Sequence, residues 1–234
     1  MSDNFGLLSE GLLQLCRNDP GAEKLIAPRR ETILSLLTQY ILEIEKYNPA
    51  LSLVGTNDRQ ELIVRHILDS LSPLGIISRL LAESRAVADV GSGAGLPGIP
   101  LAIAMPDIQF TLIERKGRRA HFLRHIQEAL GLANVLAEEA EMEKAQRGRF
   151  ALVTFRAFRP LEPKILKGLF RLCADGGVLA AYKGRSEKIE AEMAALKEAG
   201  KQGGGVTWRI VPCPVPFLDE QRHIVCIQKS AAGV

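Results

Sequence analysis

The stretch from residue 87 to residue 101, VADVGSGAGLPGIPL, constrains the fold of this chain more than any other. A short apolar strand runs up to Asp89. Three glycines follow it at alternate positions: Gly91, Gly93 and Gly95. Glycine tolerates the positive φ of a tight turn and lets a ligand approach the backbone, because it has no Cβ. The apolar run from Pro97 suits a helix whose first N–H groups point into the turn. The stretch therefore predicts a strand, a nucleotide-binding turn and a helix.

Three classes of nucleotide loop compete for these glycines. A P-loop needs GxxxxGK[ST], and no lysine follows the glycines, which disfavours ATP hydrolysis. A dinucleotide fingerprint GxGxxG fits at Gly93, Gly95 and Gly98, but it places Pro97 inside the turn. The GxGxG loop of S-adenosylmethionine-dependent methyltransferases has an acidic residue just before it, as Asp89 is here. A carboxylate repels a pyrophosphate and attracts a sulfonium, so its charge favours the third class. A tight turn without a ligand is the remaining alternative.

A second acidic residue supports a nucleoside ligand. The segment 109–114, QFTLIE, predicts a strand that ends in Glu114. An acidic residue about 20 positions after the glycines is placed to bind the ribose hydroxyls. NAD and S-adenosylmethionine share this contact, so Glu114 does not distinguish them. An exposed acid beside Arg115 and Lys116 is the alternative.

Further segments carry a resemblance to a known family. They are VRHILDS (64–70), DVGSGAGLPGIPLAI (89–103), TLIERKGRRAHFL (111–123), FALVTFRAFRPL (150–161), GGVLAAYKG (176–184) and RHIVCIQK (222–229). In this order they resemble the bacterial ribosomal RNA small-subunit methyltransferase G family, also called glucose-inhibited division protein B. The resemblance implies transfer of a methyl group from S-adenosylmethionine to N7 of one guanosine in 16S rRNA.

The resemblance also implies a set of cofactor contacts. Carried over by position, they are Gly91, Leu96, Met142, Glu143 and Arg156. The chain departs from the family at Phe155, where a serine is usual, and around Glu141, where an arginine is usual. The second departure leaves Glu141 and Glu143 as alternative adenine contacts. With the residues derived above, the predicted cofactor site comprises Asp89, Gly91, Gly93, Gly95, Leu96, Glu114, Met142, Glu143 and Arg156.

Arg156 is the candidate catalytic residue, because it lies at the tip of a predicted strand beside the glycine loop. Guanine N7 has an exposed lone pair, so its methylation needs alignment rather than a general base. Arg156 would bind the O6 or N7 edge of the guanine, or the cofactor. Phe155 and Phe158 are candidates for stacking on a base, with core packing as the alternative. His66 and Asp69 are three residues apart, so they lie on the same face of a predicted helix and could interact. The pair would either position the helix against the sheet or act as a catalytic dyad.

Basic residues crowd the segment after the second predicted strand and recur after later strands. In an open α/β sheet these loops lie at the carboxyl edge, where a basic rim would meet a phosphate backbone. The candidate RNA contacts are Arg115, Lys116, Arg118, Arg119, Lys183, Arg222 and His223. Their partner would be 16S rRNA or the small ribosomal subunit. We expect Arg118 and Arg119 to bind RNA outside the cofactor pocket; a solvated, paired surface is the alternative.

Strands alternate with helices from residue 87 onward, which predicts a doubly wound, mostly parallel sheet of seven strands. The fold class is thus α/β, a Rossmann-like class I methyltransferase domain over 85–234 behind an N-terminal helical extension over 1–84. Predicted strands span 86–90, 109–114, 134–138 (weak), 150–155, 177–182, 206–211 and 223–228. Predicted helices span 4–16, 29–47, 62–71, 97–104, 116–130, 160–173 and 186–199. Asn57 or Asp58 would cap the third helix, and the GGGV at 203–206 predicts a turn.

Composition bounds the remaining possibilities. With 234 residues, 47% hydrophobic and 24% charged, the chain resembles ordinary globular proteins. It carries no long apolar stretch and no basic N-terminal segment, so we expect neither a membrane span nor a signal peptide. The four cysteines are scattered, which predicts reduced thiols and no metal site. We expect a cytoplasmic monomer.

Overall fold

The computed structural model describes residues 3–81, 86–199 and 205–230. The predicted boundary between residues 84 and 85, and the first half of the predicted turn at 203–206, lie outside the described residues. The strands are β1 (Ala86–Val90), β2 (Gln109–Glu114), β3 (Val135–Glu139), β4 (Phe150–Arg156), β5 (Cys173–Lys183), β6 (Val206–Pro212) and β7 (His223–Lys229). Every predicted strand is confirmed, including the weak one at β3.

The seven strands form one sheet in the order β3-β2-β1-β4-β5-β7-β6. Strand β7 is antiparallel to both of its neighbours, and the other pairs are parallel. The order reverses at β1, which pairs with β2 on one side and β4 on the other. Ligands bind at such a switch point, beyond the carboxyl ends of the strands. The glycine loop, Glu114 and Arg156 therefore meet at one edge of the sheet.

Helices cover both faces of the sheet. The described helices are α1 (Asp3–Asn18), α2 (Pro20–Ile26), α3 (Arg30–Leu51), α4 (Arg59–Leu62), α5 (Asp69–Leu71), α6 (Leu74–Leu80), α7 (Gly98–Ala104), α8 (Gly117–Ala129), α9 (Pro163–Leu172) and α10 (Ser186–Ala199). Asp58 is the cap of α4, since its Oδ1 accepts from Glu61 N at 2.7 Å. No helix within the described ranges combines the length and apolar character that a membrane crossing requires.

The period-two pattern of the strands divides the core. Val87 and Leu152 face a cluster that includes Leu12, Ile41 and Phe122, whereas Ala88 and Val153 belong to the opposite cluster with α9 and α10. The helices before residue 81 therefore share one core with the sheet and with α7 and α8. The division at residue 84 stays a prediction about sequence units.

Two buried tyrosines join the helical extension to the sheet. Tyr40 of α3 is fully buried and donates to Ala94 O of the glycine loop at 2.7 Å. Tyr182 of β5 donates to Ser70 O at 2.7 Å. Because a buried hydroxyl needs its partner, each bond fixes the extension relative to the carboxyl edge of the sheet.

The four cysteines are free thiols. Burial raises the pKa of Cys173 and of Cys213 to about 12. Both thiols are therefore protonated at neutral pH, which leaves them without nucleophilic character.

Candidate active site

The glycine loop has the backbone conformation that its sequence predicts. The φ angles are +71° at Gly91, +60° at Gly93 and +97° at Gly95, a region that side chains with a Cβ rarely adopt. Gly91 N donates to Ile113 O at 2.8 Å, which ties the turn to β2. A Cβ on Gly91 would collide with the ring of Phe158. The space beside Gly93 is open, since a Cβ there would meet no atom nearer than 3.8 Å.

Asp89 shapes this loop from below. It is 1% exposed, and its Oδ2 accepts from Ser92 Oγ at 2.6 Å and from Gly98 N at 3.0 Å. Burial raises the pKa of Asp89 to about 6. Its Oδ1 is buried without a hydrogen-bond partner among the residues described. Asp89 does not line the cleft, and its contact with the cofactor stays a prediction.

Glu114 touches the loop from the neighbouring strand. Its Oε2 accepts from Gly93 N at 3.0 Å and its Oε1 from Lys116 N at 2.8 Å. The side chain therefore lies at the end of β2, bound to the backbone of Gly93. This is the place at which the sequence predicts a ribose contact.

A cleft of about 1050 Å³ opens beside the glycine loop. Residues 91–94 and Leu96 line one part of it, and the ends of β4 and β5 line another. The helical extension supplies a third wall through residues 53–55 and Arg65, His66 and Asp69. Small-molecule sites span roughly 300–1000 Å³, so the cleft has room for a nucleoside cofactor and a second group. The open face of Gly93 and the adjacent carboxylate fit such a cofactor.

The charge of this cleft is strongly positive. Among the described residues, the lining has two carboxylates, of Asp69 and Glu192, and eight cations: Arg65, Arg119, Arg156, Arg159, Lys183, Arg185, Lys188 and Arg222. The formal net charge of the whole chain is only +3. The positive charge is therefore concentrated where a ligand would bind, and such a cleft attracts a polyanion.

Arg156 reaches from the end of β4 to the helical extension. Its Nη1 donates to Asp69 Oδ2 at 2.9 Å and to His66 O at 3.4 Å. Asp69 Oδ1 lies 3.3 Å from Arg222 Nε, so one carboxylate with 8% exposure pairs with two arginines. His66 and Asp69 both contact Arg156. This arrangement fits the prediction that the two residues position their helix against the sheet.

Several residues of the extension that line the cleft lie in or just after a helical segment with an altered hydrogen-bond pattern. Residues Ile63–Leu68 form a π-helical segment between α4 and α5. A π-segment shifts the following side chains around the helix axis and occurs often at functional sites. Here Arg65, His66, Asp69 and Ser72 all line the cleft. The helix predicted over 62–71 is confirmed, and this π-helical segment lies inside it.

Partial burial and the nearby charge of Arg156 lower the pKa of His66 to about 4. The ring is therefore neutral at pH 7. A depressed pKa contributes stability that is fully present above the ordinary value of 6.5 and is lost as the pH falls through 4. We expect wild type to lose about 3 kcal/mol through this group between pH 6.5 and pH 4, at 1.36 kcal/mol per pKa unit.

His66→Asn should remove that loss, because asparagine does not titrate. The measurement is urea unfolding of both proteins at several pH values between 7 and 4. The raised pKa of Asp89 acts in the opposite direction, with stability lost as the pH rises through 6, but it is present in both proteins and cancels. Identical pH profiles for the two proteins would contradict the neutral, buried state of His66.

The predicted adenine contacts lie outside the lining of the cleft. The Met142 side chain is 4% exposed in the core, and its carbonyl accepts from Arg171 Nη2 at 2.6 Å. Glu143 is exposed, and its Oε1 lies 3.4 Å from Arg159 Nη1. Glu141 pairs with Lys144 at 3.2 Å. Of the two acids, only Glu143 contacts a residue that lines the cleft.

The predicted RNA contacts divide into two groups. Arg115, Lys116 and Arg118 are exposed before or within the first turn of α8. The other four, Arg119, Lys183, Arg222 and His223, line the cleft itself. Arg119 donates to Ser52 O at 2.6 Å, and Lys183 pairs with Glu192 at 2.7 Å. The second group therefore already has partners within the protein.

Several cleft residues were not predicted. They are Arg65, Arg159 and Lys188, together with residues 53–55 in a loop of the extension. Asn48 shapes this loop, since it donates to Thr56 O at 3.0 Å and accepts from Val54 N at 2.9 Å. No local sequence signal connects these segments to the glycine loop. Phe155 is 2% exposed and packs in the core, which favours the alternative to base stacking.

Comparison with known proteins gives one consistent family. The family model described as rRNA small subunit methyltransferase G matches residues 33–223. Ribosomal RNA small subunit methyltransferase G of Cellvibrio japonicus is 40% identical over 229 residues, which cover 97% of this chain and 98% of that protein. The protein of the same name from Treponema denticola is 34% identical, covering 96% and 94%.

The fold has its own match among solved structures. A SAM-dependent methyltransferase from Aquifex aeolicus superimposes with a TM-score of 0.51 and 21% identity, over 68% of this chain and 92% of that one. This likeness confirms the predicted fold class. Since the family model and the relatives cover most of the chain, the resemblance noted in the sequence is confirmed: this chain belongs to the rRNA small subunit methyltransferase G family, a family of S-adenosylmethionine-dependent methyltransferases.

Proposed function

We propose that this protein transfers a methyl group from S-adenosylmethionine to N7 of a guanine in the RNA of the small ribosomal subunit. The observation that carries the proposal is that the glycine loop and the eight-cation cleft form one space. A nucleoside site that opens into concentrated positive charge suits a second substrate with a phosphate backbone. The names of the relatives specify small-subunit rRNA. The alternative, a non-catalytic regulator that senses NAD, finds no support among the relatives.

The cofactor would supply a methyl carbon bound to a positively charged sulfur. We propose that the glycine loop and Leu96 hold it, with Glu114 at the ribose and Asp89 beneath the loop. Met142 and Glu143 belong to the adenine end in this proposal. Two observations support this arrangement: the space beside Gly93 is open, and the Glu114 carboxylate, a hydrogen-bond acceptor, is bound to the backbone of the same loop.

The pairing of the acids supports N7 as the target atom. Both carboxylates that line the cleft are bound to cations, Asp69 to Arg156 and Arg222, and Glu192 to Lys183. A target that loses a proton before attack would need a base, whereas N7 attacks with its own lone pair. Arg156 would orient the guanine by donating to its O6 edge. Alignment of the nitrogen, the methyl carbon and the sulfur then suffices.

The direct test is methylation with a labelled cofactor. We expect incubation with 16S rRNA or with small subunits to place label on one guanine, mapped by nuclease digestion and mass spectrometry. A substrate with 7-deazaguanine at the mapped position should accept no label, because it lacks N7. Label on another atom, or none on either RNA substrate, would contradict the proposal.

Arg118 and Arg119 have different expected effects, although the sequence predicts the same role for both. Arg118 is exposed, so Arg118→Ala should weaken RNA binding and lower the log–log salt slope by about 0.7, as for one phosphate contact in single-stranded RNA. Its affinity for S-adenosylmethionine should not change. Arg119 donates to Ser52 O and lies beside Gly93, so Arg119→Ala should also weaken cofactor binding.

Filter binding at several salt concentrations and calorimetry separate the two effects. Glu128→Ala, a substitution of an exposed residue near the far end of α8, is the control and should change neither measurement. An unchanged salt slope in Arg118→Ala would mean that this exposed arginine does not contact the RNA.

We also propose that the protein is cytoplasmic, because its rRNA substrate is found where ribosomes assemble. We further propose that it acts as a monomer. Light scattering of the purified protein tests the monomer. A dimer at micromolar concentration would contradict this part of the proposal and leave the reaction itself unaffected.

A further inference from the structure

The loop between β6 and β7 carries an aromatic ring that belongs to neither apolar cluster of the described residues. Phe217 is 47% exposed, and it is the aromatic member of the exposed large apolar residues in the described part of the chain. Its ring has no aromatic or cationic partner among the described residues. The core therefore gains little from the presence of this side chain.

The backbone at Phe217 is also disfavoured for such a residue. Leu218 N donates to Val215 O at 3.1 Å, which closes a four-residue turn with Pro216 and Phe217 at its centre. The φ angle of Phe217 is +65°. This is a type II turn, whose third position normally holds glycine or asparagine. The chain thus places a phenylalanine where glycine would be favoured, and strained residues of this kind cluster at functional sites.

The loop that carries this turn is tied to residues that line the cleft. Cys213 N donates to Arg222 O at 2.8 Å, which closes the base of the loop. Glu220 pairs with Arg65 on the π-helical segment, and Arg222 pairs with Asp69. Cys213, Arg222 and Arg65 all line the cleft. The loop that carries Phe217 is therefore anchored at several points to residues of the positively charged cleft.

We propose that Phe217 stacks on an unpaired RNA base that flanks the target guanine; this inference rests on the proposed function. Unpaired bases are bound by aromatic side chains beside a cationic groove that follows the phosphates. A rigid ring also binds with little loss of conformational freedom. Phe217 would then select substrates in which the target lies in a single-stranded segment.

The test compares three substitutions at this position. Phe217→Gly relieves the backbone, so its melting temperature should not fall below that of wild type. Phe217→Leu keeps an apolar side chain without an aromatic face. Both should weaken binding of 16S rRNA about tenfold or more, the scale of one lost stacking contact. Phe217→Trp should bind RNA as wild type does. S-adenosylmethionine affinity should be unchanged in all three.

A spectroscopic readout tests stacking without catalysis. The chain has one tryptophan, Trp208, so Phe217→Trp in a Trp208→Phe background reports from the loop alone. We expect a single-stranded RNA oligonucleotide to quench its fluorescence. RNA affinity equal to wild type in Phe217→Leu, absent quenching, or a large fall in melting temperature of Phe217→Gly would each overturn the proposal.

Two further outcomes separate the alternatives. If Phe217→Leu lost binding to assembled subunits but bound naked rRNA normally, the ring would contact a ribosomal protein. That result would overturn base stacking. A wild-type enzyme that methylates no RNA would refute the proposed function. In that case, the oligonucleotide measurements would still decide whether Phe217 binds RNA.

Discussion

Gly93→Val is expected to lower the affinity for S-adenosylmethionine at least 100-fold while the protein stays folded. The φ angle of Gly93 is +60°, and the space beside it is open. The valine side chain would occupy the space in which the proposed cofactor lies. Because a Cβ there has room, the cost to the fold is expected to come mainly from the backbone, about 1–2 kcal/mol for a residue in the left-handed region. Calorimetry measures the affinity, and thermal unfolding measures the cost.

Gly131 offers a matched control for this variant. Its φ is +62°, and a Cβ there would meet no atom within 4 Å. It follows α8 and does not line the cleft. Gly131→Val should therefore show a similar loss of stability with normal cofactor affinity. Equal affinities in the two variants would mean that the glycine loop is only a structural turn.

Arg156→Ala is expected to reduce rRNA methylation about 100-fold or more, on the scale of losing one donor at a reacting centre. The guanidinium lines the cleft, and Arg156→Lys would keep its charge but not its forked geometry. Lysine should therefore restore only part of the rate. Initial rates with labelled cofactor give kcat and KM separately.

A second measurement shows whether Arg156 acts where the structure places it. The charge of Arg156 helps to lower the pKa of His66, so that pKa should rise from about 4 in Arg156→Ala, observed by NMR. Arg149→Ala, which changes an exposed arginine just before the opposite end of β4, should alter neither the rate nor the pKa. A normal methylation rate in Arg156→Ala would remove Arg156 from the catalytic site.

The sheet could be predicted from sequence because its signals are local. Strand β1, the glycine turn and α7 follow one another directly, and each has its own pattern of apolar residues or glycines. The alternation of strands and helices then leaves few topologies, since parallel crossovers are right-handed. The positions of Asp89 and Glu114 at strand ends followed from the same patterns. Residues 86–90 and 109–114 coincide with β1 and β2.

The helical part was predicted less completely, because its geometry depends on packing. The π-helical segment at Ile63–Leu68 has no sequence signature, yet it helps to set which residues face the cleft. The sequence did single out His66 and Asp69, but it did not show that Arg156, 87 residues after Asp69, would bind Asp69. Contacts over such separations form only when the two layers share a core.

The sequence by itself determined the fold class, the nucleotide loop and the family, because each rests on local patterns that can be read in order along the chain. The tertiary structure decided which charges are available and which are engaged. The sequence predicted that Lys183 and Arg222 would be available to bind RNA. In the structure Lys183 pairs with Glu192, and Arg222 pairs with Asp69. Arg118 and Arg119 are adjacent, yet only Arg119 lies beside the glycine loop. The physical reason is that a charged side chain pairs with whichever opposite charge lies close to it in the folded structure. Such neighbours come from distant parts of the chain.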